Sequence, residues 1–163
     1  MVRFSEGPKI EVMVDIEAPP ERVWELVSDI NLPARFQSEF KRAEWVTEGP
    51  ALGAEFTGYN ERKGFEWVTS SWVVEYEPLK SFGWAVSDRV NPGATWTFRL
   101  SETTDSTRLI FHRRLGPGPS GITSIIGRYP EDEEAIIAAR DAEQTLNMQG
   151  VVDGIKHLAE APD

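Results

Sequence analysis

The sequence contains no cysteine and only two histidines among its 163 residues. Disulfides, thiol nucleophiles and cysteine-ligated metals are therefore excluded, and we expect a cytoplasmic protein. His112 and His157 lie on different predicted elements, with no carboxylate at metal-ligand spacing around either one. We therefore expect neither a zinc or iron site nor any other cofactor.

Long hydrophobic runs and an excess of positive charge are also absent. No apolar stretch approaches the roughly 20 residues that span a bilayer, and the N-terminal residues lack the apolar core and cleavage site of a secretory signal. The net charge is −10, from 17 basic and 27 acidic residues. Nucleic acid and anionic membranes would repel such a protein. We therefore expect no nucleic-acid partner and no integral membrane association.

Hydrophobic periodicity predicts a single α+β domain over residues 1–163. Apolar and charged residues alternate from residue 10 to 16, which predicts a first strand, and two short helical segments follow. Six stretches with a period of two then predict an antiparallel meander over residues 42–115. The pattern assigns no structure to residues 116–130. The stretch from Glu131 onward contains no proline until Pro162, which predicts one long helix.

The run GFEWVTSSWVVEYEP contains two tryptophans, Trp67 and Trp72, five positions apart. Successive side chains of a strand point to opposite faces, so these two side chains are expected on opposite sides of the sheet. Either the sheet curls and is covered on both sides, or a bulge re-aims half of the strand. We assign Trp67 to the inner face, although one bulge before Val73 would exchange it with Trp72.

The order of elements, together with APPERVWELVSD, GAEFTGYNERKGFEW, VVEYEP, FGWAV and DGIKHLAE, resembles a known superfamily. This is the START-related polyketide cyclase/dehydrase and lipid-transport superfamily (SRPBCC), which has the helix-grip fold of the birch-pollen allergen. The resemblance runs from Lys9 to Glu160. It implies a seven-stranded curved sheet wrapped around the long C-terminal helix, with a deep and mainly apolar cavity between them.

Large apolar side chains outnumber polar ones on the expected inner face, which is typical of a small-molecule pocket. The predicted ligand-binding residues are Phe56, Asn60, Trp67, Ser71, Trp84, Trp96, Phe98, Phe111, Arg113, Asp141, Gln144 and Met148. Each aromatic residue taken singly also suits an ordinary core. The small side chains of the long helix, Ala135, Ala138, Ala139 and Ala142, either leave room for a ligand or let the helix pack close to the sheet.

Arg113 shares a strand face with Leu109 and Phe111. Burial of an unpaired guanidinium is costly, so this side chain must reach solvent at the cavity mouth, pair with an acid, or bind an anionic ligand. We favour the cavity mouth. A carboxylated ligand, such as a fatty acid, would then meet Arg113 there.

Three classes of function remain open, because a fold alone does not choose among them. The preferred class is binding or transport of a hydrophobic small molecule, such as a lipid, a fatty acid or a polyketide-like aromatic. The second is a cofactor-free polyketide aromatase/cyclase or dehydratase. In this case Arg113, Asn60 and Asp141 would polarise the substrate or transfer protons, and Tyr59 or His112 would take part only if the strand register slips. The third is a protein-interaction module that uses the convex aromatic surface, which leaves a homodimer open.

Overall fold

The structure is a computed structural model that describes residues 2–162. The strands in this part of the chain are β1 (Lys9–Ile16), β2 (Phe40–Trp45), β3 (Glu55–Arg62), β4 (Phe65–Glu77), β5 (Ser81–Val86), β6 (Ala94–Glu102) and β7 (Thr107–Leu115). The helices are α1 (Pro20–Val27), α2 (Gly121–Arg128) and α3 (Glu133–Glu160). Short 3-10 turns lie at Phe4–Glu6, Leu32–Arg35 and Pro130–Asp132.

All seven strands form one antiparallel sheet in the order β1-β7-β6-β5-β4-β3-β2. The sheet curves around α3, whose buried side chains join the inner face of the sheet in one hydrophobic core. The predicted α+β helix-grip architecture is therefore confirmed, including the two short helical segments after β1. Within residues 2–162, no helix combines the length and the apolar character needed to cross a bilayer.

The irregularity in β4 lies after Val73, between the pairs Val73–Trp84 and Glu75–Gly83. Alternation is therefore unbroken from Trp67 to Val73, so Trp67 faces inward and Trp72 lies half-buried on the convex face. Beyond the bulge the inner face is taken by Tyr76, whose ring centroid is 5.7 Å from that of Trp24. A curved sheet and a bulge both occur, and the bulge does not exchange the two tryptophans.

The hairpin between β3 and β4 is tighter than the sequence pattern ERKG indicates. Its turn consists only of Lys63 and Gly64, with φ of 53° and 80°. Two consecutive positive φ angles are typical of a type I′ hairpin, which matches the twist of the strands it joins. Glu61 and Arg62 consequently belong to β3, and Arg62 pairs with Phe65 across the hairpin. This extra strand length carries the Arg62 side chain to the cavity.

Two glycines of α3 bring the segment after α1 close to the helix. A Cβ atom built at Gly154 would lie 2.3 Å from ring atoms of Phe36, and one at Gly150 would lie 2.5 Å from the Phe36 carbonyl oxygen. The same segment is tied to β2, because the Asn31 amide accepts a hydrogen bond from the Ala43 N–H and donates one to the Ala43 carbonyl. These contacts fix one wall of the space between the sheet and α3.

Candidate functional site

A cavity of about 1090 Å³ lies between the inner face of the sheet, α3 and α2. Its aromatic lining residues are Phe40, Phe56, Phe65, Trp67, Phe82, Trp84, Trp96, Phe98 and Phe111. Several of these rings pack against one another. Trp84 stacks on Trp96 with an interplanar angle of 11°, and the ring centroids of Phe98 and Phe111 are 4.0 Å apart. Because the rings are already packed together, the apolar wall needs no rearrangement to present flat surfaces to a ligand.

Ten of the twelve predicted site residues line this cavity. They are Phe56, Asn60, Trp67, Ser71, Trp84, Trp96, Phe98, Phe111, Gln144 and Met148. They meet there because β3 to β7 each contribute inward positions of period two, whereas α3 contributes positions spaced by three and four residues. Whether they bind a ligand stays a prediction, but the structure brings these ten side chains together.

The expected position of Arg113 at the cavity mouth is wrong. Its side chain is 0% exposed, and its Nη2 donates to Asp141 Oδ1 at 2.7 Å. The other hydrogen bonds run from Nη1 to Gln144 Oε1 at 2.6 Å and from Nη2 to the Pro8 carbonyl at 3.3 Å. The buried Arg113 guanidinium is therefore compensated by pairing with an acid, rather than by solvent at the cavity mouth.

Of this cluster, Gln144 lines the cavity, whereas Arg113 and Asp141 are not among the lining residues. The Arg113 side chain is enclosed by protein atoms, and the Asp141 side chain is 26% exposed. Burial lowers the pKa of the Arg113 guanidinium, and the hydrogen bond and charge of Asp141 oppose that effect. The Nε–H of Arg113 is buried and has no acceptor among the described residues. The cluster is therefore held mainly by the three oxygen atoms that face the Nη groups.

Two ion pairs, which sequence reasoning missed, also line the cavity. Arg62 on β3 donates to both carboxylate oxygens of Glu143 on α3, at 2.8 and 2.6 Å, and Arg140 on α3 donates to Glu39 at 2.7 Å. Burial acts to raise the pKa of Glu143, but the hydrogen bond from Arg62 and the charges of Arg62 and Arg140 together lower it. Each pair joins α3 to the β2–β3 side of the sheet, a link that no sequence spacing reveals.

The previously unassigned segment 116–130 supplies another wall of the cavity. It contains α2, from which Ile122, Ile125 and Arg128 line the cavity, and Ile125 is 45% exposed. None of the α2 residues is fully buried. The isoleucine spacing of three and four residues, after the N-cap Ser120, was the available sequence signal for this helix.

The alanines of α3 do not act together as expected. All four alanines are exposed, and only Ala139 among them lines the cavity. The helix phase explains this difference, since the buried stripe runs through Ile137, Gln144, Met148, Val151 and Val152 instead. Room in the cavity therefore comes from the separation between α3 and the sheet rather than from an alanine stripe.

The two histidines lie away from the cavity. His112 is half-buried among the outward positions of β7, where burial lowers its pKa, and His157 is exposed near the end of α3. Among residues 2–162, no three side chains of His, Asp or Glu are grouped so that they could hold a metal ion.

Comparisons with known proteins agree with this architecture. The family model described as polyketide cyclase / dehydrase and lipid transport matches residues 7–152. The chain is 26% identical to the Polyketide_cyc-like protein Cgl2372 from Corynebacterium glutamicum, with a TM-score of 0.63 and coverage of 94% of this chain and 90% of that one. No curated protein sequence gives a significant match.

Two aromatase/cyclases share the fold at lower identity. The di-domain ARO/CYC BexL, from the BE-7585A biosynthetic pathway, is 16% identical with a TM-score of 0.73, over 96% of this chain and 51% of that one. The Zhui aromatase/cyclase from Streptomyces sp. R1128 is 14% identical with a TM-score of 0.65, over 94% of both chains. The matched length of the family model, together with the fold, shows that the chain belongs to the polyketide cyclase/dehydrase and lipid-transport family.

Proposed function

We propose that the protein binds a hydrophobic small molecule in the cavity between the sheet and α3. The observation that carries this proposal is the aromatic lining of a cavity of about 1090 Å³. Small-molecule sites are commonly concave, largely apolar and a few hundred to a thousand Å³ in volume, with a small number of polar groups. Here the polar groups include Asn60, Ser71 and Gln144.

The geometry favours a flat or chain-like apolar ligand over one anchored by a carboxylate on Arg113. Arg113 is enclosed and engaged by Asp141 and Gln144, so a fatty-acid head group has no access to it. The parallel rings of Trp84 and Trp96 offer faces on which a polycyclic aromatic molecule can stack. A fatty acid would therefore need another cavity-lining cation, such as Lys63 or Arg128, for its carboxylate, whereas a polyketide-like aromatic or a neutral lipid needs none.

Binding is preferred to catalysis because the polar groups considered for a cyclase mechanism do not converge. Of Asn60, Arg113 and Asp141, only Asn60 lines the cavity. Arg62, Glu143, Arg140 and Glu39 also line it, but they pair with one another. The names of the aromatase/cyclase neighbours describe those proteins, whose identity to this chain supports a common fold alone.

The test uses two neighbouring alanines of α3 that differ only in whether they face the cavity. Both side chains are exposed, but Ala139 lines the cavity and Ala138 does not. The wild-type protein is titrated with N-phenyl-1-naphthylamine, a neutral apolar dye, and native mass spectrometry with organic extraction identifies molecules that co-purify. We expect Ala139→Trp to weaken dye binding because the indole enters the cavity, and Ala138→Trp to leave it unchanged.

Two results would contradict the proposal. One is a wild-type protein that takes up no apolar dye and co-purifies with no small molecule. The other is an equal effect of the two alanine variants, provided that both unfold at the same urea concentration as the wild-type protein. The second result would place the dye on the surface rather than in the cavity.

A further inference from the structure

The amide of Gln144 on α3 has one orientation that its surroundings permit. Its Oε1 lies 2.6 Å from Nη1 of Arg113. A guanidinium has only donors, so the atom of Gln144 that faces Arg113 must be the oxygen. The reversed amide would place an NH₂ group against the N–H groups of Arg113 and would lose the charge-assisted hydrogen bond.

The Nε2 group of Gln144 is consequently directed away from Arg113. Gln144 lines the cavity, and its side chain is nearly buried, with 7% of the residue exposed. Within residues 2–162, Nε2 has no hydrogen-bond acceptor, yet it is not fully enclosed by protein atoms. Its two N–H donors are thus available at the apolar cavity, where an unsatisfied polar group is costly.

The cluster behind Gln144 holds this donor in place. Asp141 and the Pro8 carbonyl engage the second terminal nitrogen of Arg113, so the guanidinium cannot rotate without losing three contacts. A cation bonded to the amide oxygen also draws electron density from the amide, which strengthens the N–H groups as donors. Arg113 and Asp141 therefore act as positioning residues for Gln144.

We propose that the Nε2 group of Gln144 recognises a hydrogen-bond-accepting oxygen on an otherwise apolar ligand. A ketone, quinone or ester carbonyl has the required acceptor. This inference rests on the proposed function and narrows it, because a pure hydrocarbon in the same cavity would leave the Gln144 donors unpaired. Recognition by one buried donor favours a ligand that carries an acceptor over an analogue of the same shape that lacks one.

The test compares two probes of nearly equal shape, 9-fluorenone and fluorene, which differ by a carbonyl oxygen in place of two hydrogens. The variant is Gln144→Glu, which keeps an oxygen acceptor for Arg113 and replaces the NH₂ donor with a second oxygen. We expect fluorenone affinity to fall about ten-fold or more, because a donor becomes an acceptor that repels the carbonyl, and fluorene affinity to change less than about two-fold. Calorimetric titration measures both affinities.

Asn147→Asp provides the matched control. Asn147 also lies on α3 and lines the cavity, but the hydrogen bonds of Arg113 within residues 2–162 go to Gln144, Pro8 and Asp141 rather than to Asn147. The same amide-to-acid change should leave the fluorenone-to-fluorene affinity ratio at its wild-type value. A similar fall in that ratio in both variants would overturn the inference, since a new charge anywhere in the cavity would then explain the result.

Infrared spectroscopy of bound fluorenone tests the hydrogen bond without relying on how a variant folds. A carbonyl that accepts a hydrogen bond absorbs at lower frequency than a free one. We expect the lower frequency in the wild-type protein and a return toward the free value in Gln144→Glu. A wild-type protein that binds both probes, but in which bound fluorenone keeps the free carbonyl frequency, overturns this inference and leaves the proposed function standing. A wild-type protein that binds neither these probes nor the apolar dye, and co-purifies with no small molecule, overturns both.

Discussion

The ion pair between the buried Arg113 and the partly exposed Asp141 predicts that a second substitution should restore stability lost by a first one. Asp141→Ala removes the only acidic partner, within residues 2–162, of a guanidinium that is 0% exposed. Because the Asp141 side chain is itself 26% exposed, the loss of unfolding free energy should lie near the lower end of the range of about 3–5 kcal/mol for breaking a buried pair. Adding Arg113→Met removes the stranded charge and keeps an apolar stem, so the double variant should lose only about 1–2 kcal/mol. The second substitution is thus expected to stabilise the first variant by roughly 2 kcal/mol.

Urea unfolding followed by tryptophan fluorescence measures these changes. Asp15→Ala is the matched control, because Asp15 forms an exposed ion pair with Arg108 between β1 and β7, with side chains 55% and 45% exposed. Exposed pairs contribute little because solvent and salt screen the charges, so the stability of this variant should remain close to that of the wild-type protein. Equal costs for Asp141→Ala and Asp15→Ala, or a double variant less stable than Asp141→Ala, would refute the argument from burial.

Two further predictions concern packing and pH. Gly154→Ala should destabilise the protein despite a helix-propensity gain of about 1 kcal/mol, because the new Cβ would lie 2.3 Å from the Phe36 ring. Gly127→Ala in α2 is the control and should be neutral or stabilising, because a Cβ there would have no neighbouring atom within 4 Å. Urea midpoints that rise for both variants would contradict the close contact at Gly154. Burial acts to raise the pKa of Glu143, but the hydrogen bond and charge of Arg62 lower it below its usual 4.5. The stability that the Arg62–Glu143 pair contributes is therefore fully present above pH 4.5 and is lost as the pH falls through the lowered pKa of the folded protein. The difference in unfolding free energy between wild type and Glu143→Gln should therefore shrink from pH 7 to pH 3, and a constant difference would exclude the pair as its source.

The amino-acid sequence by itself determined the α+β class and the order of the elements, whereas the helix-grip arrangement was implied by the resemblance to a known superfamily. Apolar residues of period two in segments 10–16 and 42–115 mark the strands, and the stretch from Glu131 to Ala161, which contains no proline, marks α3. These patterns are local, because they report only which face of an element is apolar, and a single hydrophobic core then leaves few ways to assemble the elements. The period of two in the strands, together with spacings of three and four residues in α3, predicted the ten site residues, of the twelve named, that line the cavity.

Only the tertiary structure decided which polar groups meet and which of them reach the cavity. Arg113 and Asp141 are 28 residues apart in the chain, and Arg62 and Glu143 are separated by 81, so their pairing depends on how α3 sits across the sheet. The register of β4 was likewise undetermined, since a bulge on either side of Val73 suits the same alternating sequence. The sequence shows which residues are charged or polar. Which residues they pair with depends on the distances between elements, and only the packed fold determines those distances.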